Sequence, residues 1–154
     1  MSAPILTLAA LRDLDPCRGA MERLTLPDGP LTARDAVEAG ATLNDLVWVA
    51  SAVARSDRDV ERRLRLWMAD CAARVLHVYE RENPDDDRVR NAIVAARKYA
   101  RGEITAAART AAQDAAKDGA WAAEEGWQLD RLVAWLSKNE PGDLPLPASM
   151  EAMQ

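Results

Sequence analysis

The chain has 154 residues, 49% apolar and 29% charged, with a net charge of −5 and two cysteines. Those values fit one globular domain with a real core. They argue against a nucleic-acid or anionic-membrane partner, which would want a basic face, and they leave room for a basic one.

Phe is absent and Tyr is rare, so the core must be built from Leu, Val, Ala and the five tryptophans. Cys17 and Cys71 show no metal-ligand spacing and sit in apolar surroundings, which reads as two buried free thiols. The opening "MSAPILTLAALRD" lacks a basic leader region, and no run of about 18 apolar residues occurs. The expectation is a cytoplasmic protein.

Along the chain every strong signal is helical. Thr7 can cap "LAALRDL", Asp15-Pro16 breaks it, and "PCRGAMERL" begins again. "LPDGP" at 26–30 is a turn. Thr32 with Asp35, and Thr42 with Asp45, each resemble a capping box, with Gly40 as the stop between them. In "LNDLVWVASAVA", Leu43, Leu46, Val47, Ala50 and Val53 form one apolar stripe. No hairpin turn flanked by alternation appears, so no sheet is expected.

Residues 57–82 form the longest amphipathic segment and predict a central helix. Its apolar side carries Val60, Leu64, Trp67, Met68, Cys71, Val75, Val78 and Tyr79. At 100° per residue, Arg63, Asp70, Arg74, His77 and Arg81 collect on one narrow flank. His77 could act as a general base paired with Asp70, but a base needs a nucleophile or pocket beside it, and none is visible. A solvated ridge with an Asp70–Arg74 pair explains the same residues.

"NPDDDRVRNA" at 83–92 reads as a helix start. Asn83 suits the cap, Pro84 the first helical position, and Asp85, Asp86 and Asp87 the first turn, with Arg90 in reach of Asp86. Neighbouring helical residues splay apart, so the three carboxylates cannot converge on one metal ion, and a calcium loop would need a different pattern. The helix should stop at Gly102. Residues 105–138 are Ala-rich and helical. Ala108, Ala112, Ala115, Gly119, Ala122 and Gly126 make a face of small residues fit for close helix packing, with Trp121, Trp127 and Trp135 beside it. "PGDLPLPASMEAMQ" cannot be helix and reads as a loosely held tail, in which Leu144 and Leu146 could dock.

The expected fold is therefore all-α. A single-domain multi-helix bundle spans 1–140, with a long central helix and an Ala-rich C-terminal helical part, and 141–154 form the Pro-rich tail. No phosphate loop, HExxH, GxSxG or supported Cys–His pair occurs. An enzyme, a cofactor and a bound metal are not expected.

Four stretches together carry a resemblance: "DPCRGAMERL" (15–24), "LNDLVWVAS" (43–51), "MADCAARVLHVYERENPDDDRVRNAIVAARKYARGEIT" (68–105) and "WQLDRLVAWL" (127–136). Their order and spacing resemble the fifth-class Imm-like immunity proteins found beside bacterial polymorphic toxins and in phages and prophages. The resemblance implies an all-helical protein that neutralises a toxin by direct protein–protein binding. The family block lands on Cys71, Pro84, Asp86, Asp87, Arg88, Arg90, Ala92, Ile93, Arg97, Arg101 and Gly102, which read physically as cap, stop and packing positions. The chain departs from the family in its "LTLPDGPLTARDAVEAG" connection and its Pro-rich tail. A phage-borne member could instead inhibit a host defence enzyme, in the manner of an anti-CRISPR. A different class is a phage structural or assembly protein, dimerising through exposed apolar surface. For an inhibitor, the partner-binding candidates are Arg63, Asp70, Arg74, His77 and Arg81, with Glu124 and Glu125 as an acidic counterpart.

Overall fold

The computed structural model describes residues 6–115 and 125–148. Thr7 sets the pattern for the N-terminal part: its hydroxyl accepts the Ala10 N–H at 3.1 Å and opens α1 (Leu8–Asp13). Asp15, at φ 55, takes the left-handed turn out of that helix, and α2 (Arg18–Arg23) follows. The two capping boxes form as the sequence predicts. Thr32 and Asp35 open α3 (Ala33–Glu38), Thr42 and Asp45 open α4 (Leu43–Val53), and Gly40 at φ 97 turns the chain between them. In each box one carboxylate accepts the cap N–H and the threonine accepts the N–H three residues on, so two orphan donors are satisfied reciprocally.

The chain divides into two compact units. The first comprises Met1–Leu64 and Glu125–Pro141. Here α8 (Glu125–Trp135) packs on α4, with Leu132, Val133, Trp135 and Leu136 buried. Leu8, Leu11 and Leu31 form a separate cluster with Leu6, Met21, Leu26 and Val49 against it. One expectation fails in this unit. A two-residue antiparallel ladder joins β1 (Leu6–Thr7) to β2 (Pro30–Leu31), with Leu6 opposite Leu31. The turn before Pro30 brings the strands together, and the Leu8 N–H reaches the Gly29 carbonyl at 3.1 Å. Strands this short leave no alternation to read.

The second unit comprises Arg65–Glu124 and Gly142–Gln154. Most of α5 (Arg58–Glu82), the long helix predicted at 57–82, lies in it. Ala69, Ala73 and Leu76 on α5 pack with Ile93 on α6 (Arg88–Ala100), and Ala72 and Ala96 add small residues to that seam. Gly102, at φ 74, ends α6 as expected, and the Glu103 N–H bonds back to the Lys98 carbonyl at 2.8 Å. Then α7 (Ala106–Ala115) packs along α6, where the Arg65 and Arg109 guanidinium groups lie 5.1 and 4.9 Å from the Tyr99 ring centroid.

Four further expectations are corrected. Met68 and Val78 are exposed, whereas Val60, Trp67, Cys71 and Tyr79 of the expected face are buried together with Leu66, Ala69, Ala73 and Leu76, the residues expected to widen it. Cys17 is exposed and only Cys71 is buried, because Cys17 sits at the open N-cap position of α2. The small-residue face does not act as a tight seam at its described ends: Ala108 is exposed, and a Cβ on Gly126 would meet nothing within 4 Å. Gly119, Trp121 and Ala122 lie outside the described residues. Lastly, the Pro-rich segment is not loosely held. Leu144 and Leu146 pack against the α5–α6 cluster, and the polar contacts described below fix the backbone around them.

Candidate binding surfaces

The flank expected on α5 is divided by what covers it. Arg63 is largely buried in the first unit. It donates to the carbonyls of Trp135 (3.2 Å) and Ser137 (2.6 Å) at the end of α8 and to Asp59 at 2.7 Å. A guanidinium on the last carbonyls of a helix satisfies orphan acceptors and favours the negative end of its dipole. Asp70 is fully buried, at 0% exposure, in the second unit. Neither residue presents a free charge to a partner, so the reading of both as part of a solvated ridge is corrected. Downstream, Arg74 is half-buried, and His77 and Arg81 are exposed. Val78 stands beside them at 41% exposure. No bond joins His77 to Asp70 among the described residues, so the acid–base pair does not form. Glu125 opens α8, and Glu124 lies outside the described residues.

Asp70 instead anchors a buried polar clasp. Its Oδ1 accepts from Arg97 Nη2 at 2.8 Å and from the Leu144 N–H at 2.8 Å. Arg97 also donates to the Leu144 carbonyl at 2.6 Å, and its Nε lies 3.7 Å from Asp143. Arg101 pairs with Asp143. Arg90 binds Glu80 through both carboxylate oxygens, at 2.7 and 2.8 Å, and donates to the Pro147 carbonyl at 2.8 Å. Two arginines of α6, Arg90 and Arg97, and its C-cap Arg101 thus hold one extended segment by its carbonyls and its carboxylate. Buried charge is tolerated here because each ion has a partner and further hydrogen bonds. Sequence reasoning placed Arg90, Arg97 and Arg101 among cap, stop and packing positions and missed Asp70 as the partner of Arg97. The partners of Asp70 lie 27 and 74 positions away, beyond the reach of helical periodicity.

The aspartate run is a turn before the helix, not its first turn. α6 begins at Arg88, and residues 83–87 link it to α5. Asn83 closes α5 by donating to the Tyr79 carbonyl at 3.1 Å. Asp86 accepts the Arg88 N–H at 3.0 Å and binds the Arg88 guanidinium rather than Arg90. Its other oxygen accepts the Tyr79 hydroxyl at 2.6 Å, which ties the turn back to α5. The Arg88 guanidinium and then Tyr79 hold the Asp86 carboxyl well below the usual carboxylate range. The same carboxylate pushes the Tyr79 hydroxyl up. Burial raises Asp45, but hydrogen bonds from Arg23 and Thr42 outweigh it and leave the group lowered.

In the first unit, residues from α1 to α4 line a half-open cavity of about 470 Å³. Leu11, Leu31, Leu46 and Val49 supply much of its apolar lining, and Trp48, 43% exposed, stands on its lining too. Among the described residues no cluster of His, Cys, Asp and Glu could hold a metal ion. No helix there is long and apolar enough to cross a membrane.

Comparison with known proteins adds one finding. No curated protein and no solved structure matches the chain. The family model described as Imm-5 like putative immunity protein matches residues 54–134, from the approach to α5 almost to the end of α8. That is just over half of the chain, and the chain belongs to this family.

Proposed function

We propose that the chain is a non-catalytic inhibitor that neutralises a toxin or a defence enzyme by binding it one to one. The observation that carries this reading is the family match over 54–134, which includes the exposed side of α5. On that side Val78 is an apolar side chain beside two exposed basic-type residues, His77 and Arg81, with Arg74 half-buried next to them. An apolar contact with a charged rim suits a protein interface, and the sign of the rim suits an acidic partner surface.

The test is co-expression with a toxin or defence enzyme encoded next to the gene. The chain should restore growth and elute with that product as one complex. The His77→Glu, Arg81→Glu variant should lose both while keeping its melting temperature. Rescue by the variant at the level of the unaltered chain would remove this face from the account.

A further inference from the structure

We propose that the half-open cavity lined by α1 to α4 is a binding site for a small apolar molecule with a neutral or protonated-amine head. The volume of about 470 Å³ lies in the range of small-molecule sites. The space exists because Ala20, Ala33, Ala36 and Ala41 line it, where larger side chains would fill it. Apolar walls facing no atoms lose dispersion contacts, so an apolar guest gains what the empty site lacks.

The polar groups on the lining choose the head. Among the described residues no lysine, arginine or histidine lines the cavity, and its charged residues are Asp15 and Asp45. Asp45 is already held by Arg23 at 2.8 Å and by the Thr42 N–H at 2.7 Å. Asp15 is exposed and has no ion pair among the described residues. A carboxylate or phosphate head would lie against two carboxylates and find no cation among the described lining residues, with only the polar groups of Thr32 and Asn44 to offset its lost hydration. An ammonium head can pair with Asp15. Every lining residue precedes residue 54, so the site stands outside the matched family region and does not rest on the inhibitor reading.

The exposed Cys17 also lines the cavity, while Cys71 is buried, which gives a reporter and an internal control on the unaltered chain. The full chain is titrated with the neutral fluorophore N-phenyl-1-naphthylamine, then challenged with dodecylamine or dodecanoate below their micelle concentrations. The expected result is saturable binding of one probe per chain. Dodecylamine should displace it at concentrations about tenfold lower than dodecanoate, and Asp15→Asn should abolish that preference. Ala36→Phe, by filling the space, should weaken the probe about tenfold or more. Saturating dodecylamine should slow iodoacetamide alkylation of Cys17 on the unaltered chain, which decides the matter even where Ala36→Phe fails to fold. Non-saturating fluorescence, or a Cys17 rate indifferent to dodecylamine, would overturn the site. Displacement by dodecanoate equal to that by dodecylamine would overturn the choice of head. Probe binding that falls with rising protein concentration, alongside a dimer in sedimentation, would assign the cavity to a second copy and overturn the proposal.

Discussion

Asp70 and Arg97 carry the largest single-residue consequence. Both are buried, they bond at 2.8 Å, and between them they hold the Leu144 N–H and carbonyl. Removing one charge takes away the buried ion-pair partner of the other, which costs about 3–5 kcal/mol. Arg97→Met should therefore lower unfolding stability in urea by about that much, and Asp70→Leu with Arg97→Met should recover part of the loss. A single variant within about 0.5 kcal/mol of the unaltered chain would show that the clasp is solvated. Asp86 gives the acid response. Its pKa is lowered by Arg88 and Tyr79, as those of Glu140 (by Arg62) and Asp45 are lowered by their arginines. A carboxyl lowered on folding stabilises the native state above its unfolded value, and that contribution is lost as pH falls toward the folded one. Thermal unfolding should thus shift down as pH drops below about 4, and Asp86→Asn should flatten that limb. Asp85→Asn, an exposed change, should leave it in place.

At the scale of elements, local signals worked where the bonds are local. Thr7, Thr32 and Thr42 cap the helices the sequence assigns them, since both partners of each bond lie within three residues. Thr32→Ala and Thr42→Ala should each cost about 1 kcal/mol, measured by chemical unfolding. The 83–87 stretch misled because Asn-Pro-Asp is a sound helix start in isolation. Here Tyr79, on the preceding helix, claims Asp86, so the chain turns once before α6 begins. The same limit hid the docking of the C-terminal segment. Three prolines argue against helix and say nothing about three arginines waiting on α6. Leu144→Asp with Leu146→Asp should release that segment, and proteolysis within 141–148 should then quicken several-fold at unchanged helical signal. Cleavage at the unaltered rate would mean that the leucines do not hold it. The ridge on α5 was legible as a helical face and illegible as a surface, because Arg63 and Asp70 are bonded by residues 27 to 74 positions away.

For the whole molecule, the mainly helical fold and the family were both readable from the sequence, since helical periodicity and the 68–105 block survive without three-dimensional context. The partner was not, because a binding face is defined by what remains exposed after packing. Among the described residues of α5, His77, Val78 and Arg81 are exposed together, and the proposed face is built on them. The central claim is stoichiometric, non-catalytic binding through that face. Calorimetric titration of the chain into the purified product of the neighbouring toxin gene tests it most directly, with residual toxin activity read at each point. The account predicts that activity disappears at one chain per toxin, unchanged by chelator or nucleotide, and that His77→Glu with Arg81→Glu weakens binding about tenfold or more. Neutralisation at far less than one chain per toxin, or full-strength binding by the variant, would contradict it.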